Sequence, residues 1–183
     1  MRSRPSEDGF GTGDGTSAIE TIAHAYGRQA VVVSIDPRRV YVEQPYDGPY
    51  KDEIIVGRAG TEDEGKAWWY QCTTSGGREN RQLSVVQLAK GVEKLGAGEI
   101  LLNSIDRDGT GRGFDLDLIQ LVRKSVRIPM VASSGAGAAA HFTEVFEKTG
   151  VEAALAAGIF HRGEVGIADV KAAVNSAGLA ARR

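Results

Sequence analysis

Residues 30–39 read AVVVSIDPRR, an aliphatic run that stops at an acid. A run this rich in β-branched residues is expected to be a strand buried on both faces, as in a parallel sheet. Its Ser34-Ile35-Asp36 recurs as Ser104-Ile105-Asp106 behind a second aliphatic run, EILLN at 99–103. The recurrence points to duplicated βαβα units. In parallel α/β folds ligands bind beyond the carboxyl ends of the strands, so Asp36 and Asp106 are delivered to the side where chemistry is done.

Outward from these two runs the pattern alternates. Upstream, Ser17 and Glu20 stand at capping-box spacing before an amphipathic helix with Ile19, Ile22, Ala23 and Tyr26 on one face, closed by Gly27. Between the runs, RVYVEQ (39–44) and KAWWYQCTT (66–74) read as the arms of a long hairpin with a polar, Gly/Pro-punctuated tip, an insertion rather than a domain. After SGGRENRQ (75–82) comes a helix with Val85, Leu88, Ala89, Val92 and Leu95 inward, then EILLN, then a helix from Asp115 through Leu118, Val122 and Val126. PMVAS (129–133), a helix carrying Phe142, Val145 and Phe146, AALAA (153–157) and a helix with Ile167, Val170 and Val174 complete the series. Four strands each followed by a helix, with one helix in front, predict a parallel α/β sheet.

Composition narrows the class. A chain of 183 residues, 42% hydrophobic and 25% charged, suits one soluble globular domain. Net charge −2 gives no global attraction for nucleic acid or an acidic membrane, though a small anion can be bound locally. The single Cys72 excludes an intramolecular disulfide and a cysteine metal cluster; it reads as a half-buried packing thiol in a reducing compartment. No apolar run approaches the roughly 18 residues of a membrane span. The opening 1–12 lacks a secretory core and makes a poor transit peptide, reading as a flexible leader or a truncation scar.

The strand ends carry the chemistry: Asp36; Asn103, Asp106 and Asp108-Gly109; Ser133-Ser134-Gly135; Ala157-Gly158. The last two groups are small residues just before a helix, where backbone N–H groups and a helix N-terminus can face an anion. This is how the final two loops of a (βα)8 barrel hold a phosphate. Asp36 has two readings, a proton-transfer group or a strand-end acid paired with Arg38 or Arg39. His161 reads as a packing or capping residue, and His24 and His141 as structural.

QAVVVSIDPRRVYV (29–42), WYQCTTSGGREN (69–80), LGAGEILLNSIDRDGT (95–110), VASSGAG (131–137) and ALAAGIFHRGE (154–164) resemble the C-terminal half of the cyclase domain of imidazole glycerol phosphate synthase. WYQCTTSGGRE and SSGAG are similar to the eukaryotic version, where glutaminase and cyclase share a chain. The resemblance runs from about Gly13 to the C-terminus. It implies that 13–183 are the C-terminal half of a (βα)8 TIM barrel, with a β-hairpin insertion. The implied activity, of the lyase class, takes ammonia and a phosphoribulosyl formimino carboxamide-ribonucleotide to imidazole glycerol phosphate and aminoimidazole carboxamide ribonucleotide, in histidine biosynthesis.

By the same resemblance Asp36 matches one of two catalytic aspartates, a general acid/base. Asp108, Gly109, Ser133, Ser134, Gly135, Ala157 and Gly158 match the region holding the glycerol-phosphate end of the substrate. Gly76 matches the loop that folds over the ligand, Asn103 and Asp106 lie at the same mouth, and Glu99 matches a charged residue at the barrel bottom, where ammonia enters. No cofactor or metal is implied. The implied partners are the phosphorylated small-molecule substrate, a glutaminase domain or subunit and the N-terminal half-barrel, with no nucleic acid or membrane; the expected location is the cytoplasm or plastid stroma. The segments for the first catalytic aspartate and second phosphate site are not among these residues, and Cys72 has neither a nucleophile elbow nor a following His-x-Glu pair. A full barrel needs ~250 residues, so this chain alone is expected to be inactive. The alternatives are a non-catalytic phosphate-binding half-barrel and the sister aminoaldose-ketose isomerase barrel, against which WYQCTTSGGRE argues.

Overall fold

The structure, a computed structural model, describes residues 13–182; the expected leader at 1–12 lies outside the described residues. Ser17 caps α1 (Ala18–Tyr26): its Oγ accepts from the Glu20 N–H, and the Glu20 carboxylate accepts from the Ser17 N–H. Ile19 and Ala23 pack against the core, whereas Ile22 and Tyr26 face outward.

The chain then forms β1 (Val32–Val42), which does not end at Asp36. Sequence reasoning separates a buried strand from a hairpin arm; the structure makes them one strand that changes partners. Val32–Ile35 pair in parallel with the later strand Glu99–Asn103, and Asp36–Val42 pair antiparallel with Ala67–Thr74. Pro37 offers no N–H to a ladder, but its φ suits a strand and its carbonyl accepts from the Ile105 N–H at 3.1 Å, so extension continues through it.

Within the insertion, β2 (Ile55–Val56) and β4 (Glu79–Ser84) flank β3 (Ala67–Thr74). β4 carries no apolar alternation; it is an exposed, polar edge strand held by backbone pairing, which is why its sequence reads as loop. There follow α2 (Val85–Leu95), β5 (Glu99–Asn103), α3 (Leu116–Ser125), β6 (Met130–Ser133), α4 (Ala139–Thr149), β7 (Ala153–Leu155), α5 (Gly158–His161) and α6 (Ile167–Ser176). β7 is shorter than AALAA because Ala157 already has helical dihedrals ahead of α5.

The sheet order is β2-β3-β1-β5-β6-β7, with β4 on β3. From β1 to β7 the pairing is parallel, an arrangement that fits a TIM-barrel-type family. Ile35, Ile100, Leu102, Met130 and Ala132 share one face and are buried with Val85, Ala89, Val92, Leu118, Val122 and Val145 of the helices. Burial on both faces is not what forms. The opposite face carries Val32, 55% exposed, and Leu155, 43% exposed, and Ser34 is open to solvent. Among the described residues, Val32–Ile35 pair with β5 alone and β7 with β6 alone. Cys72 is buried rather than half-buried, at 2% exposure, and His161 is exposed rather than packed.

Candidate functional site

Strand register assembles the site. Asn103 lies opposite Ser133 and Ser133 opposite Leu155, while Asp36 follows directly on the Ile35–Leu102 pair. These four residues form one row at the carboxyl end of the sheet, on its uncovered face. Asn103 Nδ2 donates to Asp36 Oδ1 at 2.7 Å and to Ser34 Oγ at 3.0 Å, and Ser34 Oγ donates to the same Asp36 oxygen at 3.3 Å. Thr73 Oγ1 donates to the Asp36 carbonyl at 2.5 Å.

Neither arginine pairs with Asp36, against that alternative from the sequence. Arg38 Nη1 donates to Asn80 Oδ1 at 3.4 Å, and Arg39 turns away to Asp63 and Asp115. Asp36 is thus a half-buried carboxylate at the mouth, oriented by neutral donors. Such a group can accept and return protons.

Beside this row, Asp108, Gly109, Ser133, Ser134, Gly135, Ala157 and Gly158 line one cavity of about 480 Å³. At Gly135 and Gly137 its wall fits too closely for a side chain. The Gly113 N–H donates to the Gly135 carbonyl at 2.7 Å, and a Cβ on Gly135, at φ +97°, would come within 2.2 Å of the Gly113 oxygen. A Cβ on Gly137 would come equally near the Gly111 oxygen. Ser134 holds φ +80°, a left-handed conformation that costs a non-glycine residue energy and recurs at ligand sites. α4 starts beyond this wall with no side-chain cap on Ala138, while the Gly137 N–H donates to His141 Nδ1 at 3.0 Å. An uncapped helix start lined by glycine backbone favours an anion. Sequence reasoning missed Arg162, which lines the cavity with its guanidinium 2.5 Å from Glu164. Nothing in the local pattern marks it.

The other expected residues lie apart from the cavity. Gly76 sits in the β3–β4 turn, whose Gly77 packs against Ile105. The Asp106 carboxylate accepts the Arg39 backbone N–H at 2.8 Å, closing the ladder of β1. Glu99 faces the same way as Asn103 from the other end of β5, opposite Val32, about 13 Å below.

A second polar cluster stands behind the mouth. Asp115, which the sequence marks only as a helix start, is buried and caps α3. It accepts from Tyr70 Oη at 2.8 Å, Ser104 Oγ at 3.3 Å and Arg39 Nη2 at 3.1 Å. Burial works against the Arg39 charge, but Asp115, Tyr70 and Asp63 more than offset it and raise its pKa above the ordinary value. The guanidinium also stands 4.2 Å from the Trp68 ring centroid. Among the described residues, no group of three or more His, Cys, Asp or Glu side chains is placed to hold a metal ion, and no helix is long and apolar enough to cross a membrane.

Comparison with known proteins shows similarity over most of the chain. The family model described as histidine biosynthesis protein matches residues 12–166. A chloroplastic imidazole glycerol phosphate synthase hisHF of Arabidopsis thaliana is 62% identical over 161 residues, covering 88% of this chain and 27% of that protein. The imidazole glycerol phosphate synthase hisHF of Emericella nidulans is 52% identical over 183 residues, 97% of this chain and 32% of that protein. The subunit HisF of the same synthase from Methanobrevibacter smithii is 46% identical over 145 residues, 79% of this chain and 50% of that subunit. The chain therefore spans half of that HisF subunit and about a third or less of these two hisHF proteins.

Proposed function

The chain belongs to the histidine biosynthesis protein family, and from that premise we propose that residues 13–183 are the C-terminal half of the cyclase barrel of imidazole glycerol phosphate synthase, four βα units with a β-hairpin inserted in the first. In this reading the phosphate of the phosphoribulosyl substrate enters the cavity between the Ser134–Gly137 and Ala157–Gly158 loops, against the α4 N-terminus. Asp36 moves protons during imine formation and ring closure, its Oδ1 fixed by Asn103. Ammonia from a glutaminase domain or subunit arrives from the Glu99 end. The uncovered sheet face, with the edges of β1 and β7 that have no strand partner among the described residues, takes the remaining barrel strands, which bring the second aspartate and second phosphate site. The chloroplastic relative supports the plastid stroma as a location.

One observation carries the reading. The Asp36–Asn103 pair shares a row with Ser133, the residue from which the cavity wall begins. The test is to express the chain together with an N-terminal half-barrel from a relative and to assay ammonia-dependent formation of imidazole glycerol phosphate. Turnover that disappears with Asp36→Asn is the expected result. No turnover in an assembly that is folded and binds substrate would overturn the proposal.

A further inference from the structure

The connection from β5 to α3 supplies Asp108 and Gly109 to the cavity and is closed at its base by a buried ion pair that touches no part of that cavity. Asp115 Oδ2, at the end of the connection, receives both Ser104 Oγ, at its start, and Arg39 Nε, each at 3.3 Å. The Arg39 backbone N–H holds Asp106 from the same side. Side-chain exposure of Arg39 and Asp115 is only 5% and 1%. The insertion tip adds to this grip: Asp63 binds Arg39 at 2.7 Å, Arg58 binds Asp117 at 2.7 Å, and Glu62 pairs with Arg112.

We propose that Arg39 and Asp115 are positioning residues for the anion cavity, acting through the 104–113 connection. The inference rests on reading that cavity as a phosphate site. Three observations carry it. The arginine fork meets both carboxylate oxygens, a geometry that fixes direction as well as distance. A buried ion pair is weak evidence for stability, since an apolar pair of similar shape often serves as well, so a geometric role accounts better for this one. Finally, the connection meets the opposite wall at Gly113–Gly135 with no slack: the Gly113 N–H donates to the Gly135 carbonyl at 2.7 Å, and a Cβ on Gly135 would come within 2.2 Å of the Gly113 oxygen. A close-packed contact passes a displacement on instead of absorbing it.

The test uses the full chain labelled with 15N, comparing wild type, Arg39→Lys and the double variant Arg39→Met with Asp115→Asn. The lysine keeps the charge but loses the fork; the double variant removes both charges and keeps an N-cap. Amide exchange at Gly113 should rise by roughly tenfold or more in both, with Leu101 and Leu102 of β5 unchanged. Inorganic phosphate should need roughly tenfold higher concentration to shift the Gly135 and Gly137 amides. Unchanged exchange at Gly113 overturns the proposal, as does a rise shared equally by Leu101 and Leu102, which marks a merely stabilising pair. Loosened Gly113 with unaltered phosphate titration overturns it as well. Absence of any phosphate shift in wild type sinks the phosphate reading instead, and the exchange at Gly113 still decides the positioning role. Should the double variant unfold, Arg39→Lys decides.

Discussion

The Asn103 amide nitrogen lies 2.7 Å from Asp36 Oδ1, across neighbouring strands β1 and β5 where their parallel pairing ends. A neutral donor thereby fixes the direction of a carboxylate without neutralising it. In a barrel completed with its N-terminal strands, Asp36→Asn should lower turnover by roughly 10²-fold or more while leaving substrate affinity nearly intact. Asn103→Ala should lower turnover less, and cost about 1–3 kcal/mol of stability, because it removes the donor of two hydrogen bonds, one of them to a carboxylate. Steady-state kinetics beside urea denaturation checks both. Equal turnover in wild type and Asp36→Asn would return Asp36 to a structural role.

The cavity can be probed from the side where the backbone has room. Gly135→Val would drive a side chain into the Gly113 carbonyl and wreck the wall itself. Ala157 has negative φ and an exposed side chain, so Ala157→Glu adds a carboxylate at the lining without that clash. Phosphate-dependent shifts of the Ser134–Gly137 amides should weaken roughly tenfold or more through like-charge repulsion. Titration by NMR gives the answer, and an unchanged curve would remove phosphate from this cavity.

Burial, with the Glu53 and Asp36 carboxylates nearby, pushes the Cys72 thiol up from 9.0 to about 12. The unfolded chain gives up that proton first, so stability due to the protonated thiol is intact below pH 9.0 and lost as pH rises toward 12. The slope is at most about 1.4 kcal/mol per pH unit. Cys72→Ala should flatten the alkaline limb of a stability-versus-pH curve measured by denaturant titration. The native thiol should also resist iodoacetamide at pH 8 until denaturant is added, as mass spectrometry would record.

The sheet face bearing Val32 and Leu155 is uncovered among the described residues and sets these exposed aliphatic side chains among polar ones such as Ser34, Asp36 and Glu99, and among the same residues the adjoining edges of β1 and β7 present backbone groups without strand partners. Such edges pair readily with other chains. The chain by itself should self-associate, and an N-terminal half-barrel supplied in trans should compete with that association. Sedimentation velocity separates the outcomes; a stable monomer would mean that this face needs no cover.

The features legible in the sequence are those made within a few residues. The Ser17–Glu20 capping box, Asp115 as the cap of α3 and EILLN as β5 depend on contacts three or four positions apart, or on the alternation of one strand, and each forms as its pattern requires. The small residues at 133–135 and 157–158 also announce a close approach of backbone, and they do converge on one cavity. Tertiary structure decided the rest. Asp36 could have met Arg38 or Arg39, which stand beside it in the chain; it meets Asn103, while Arg39 crosses to Asp115, 76 positions away. Strand alternation sends Arg39, three positions on, to the face opposite Asp36, while Arg38, two positions on, is drawn to Asn80 of β4; only sheet register sets which distant group comes within hydrogen-bond reach.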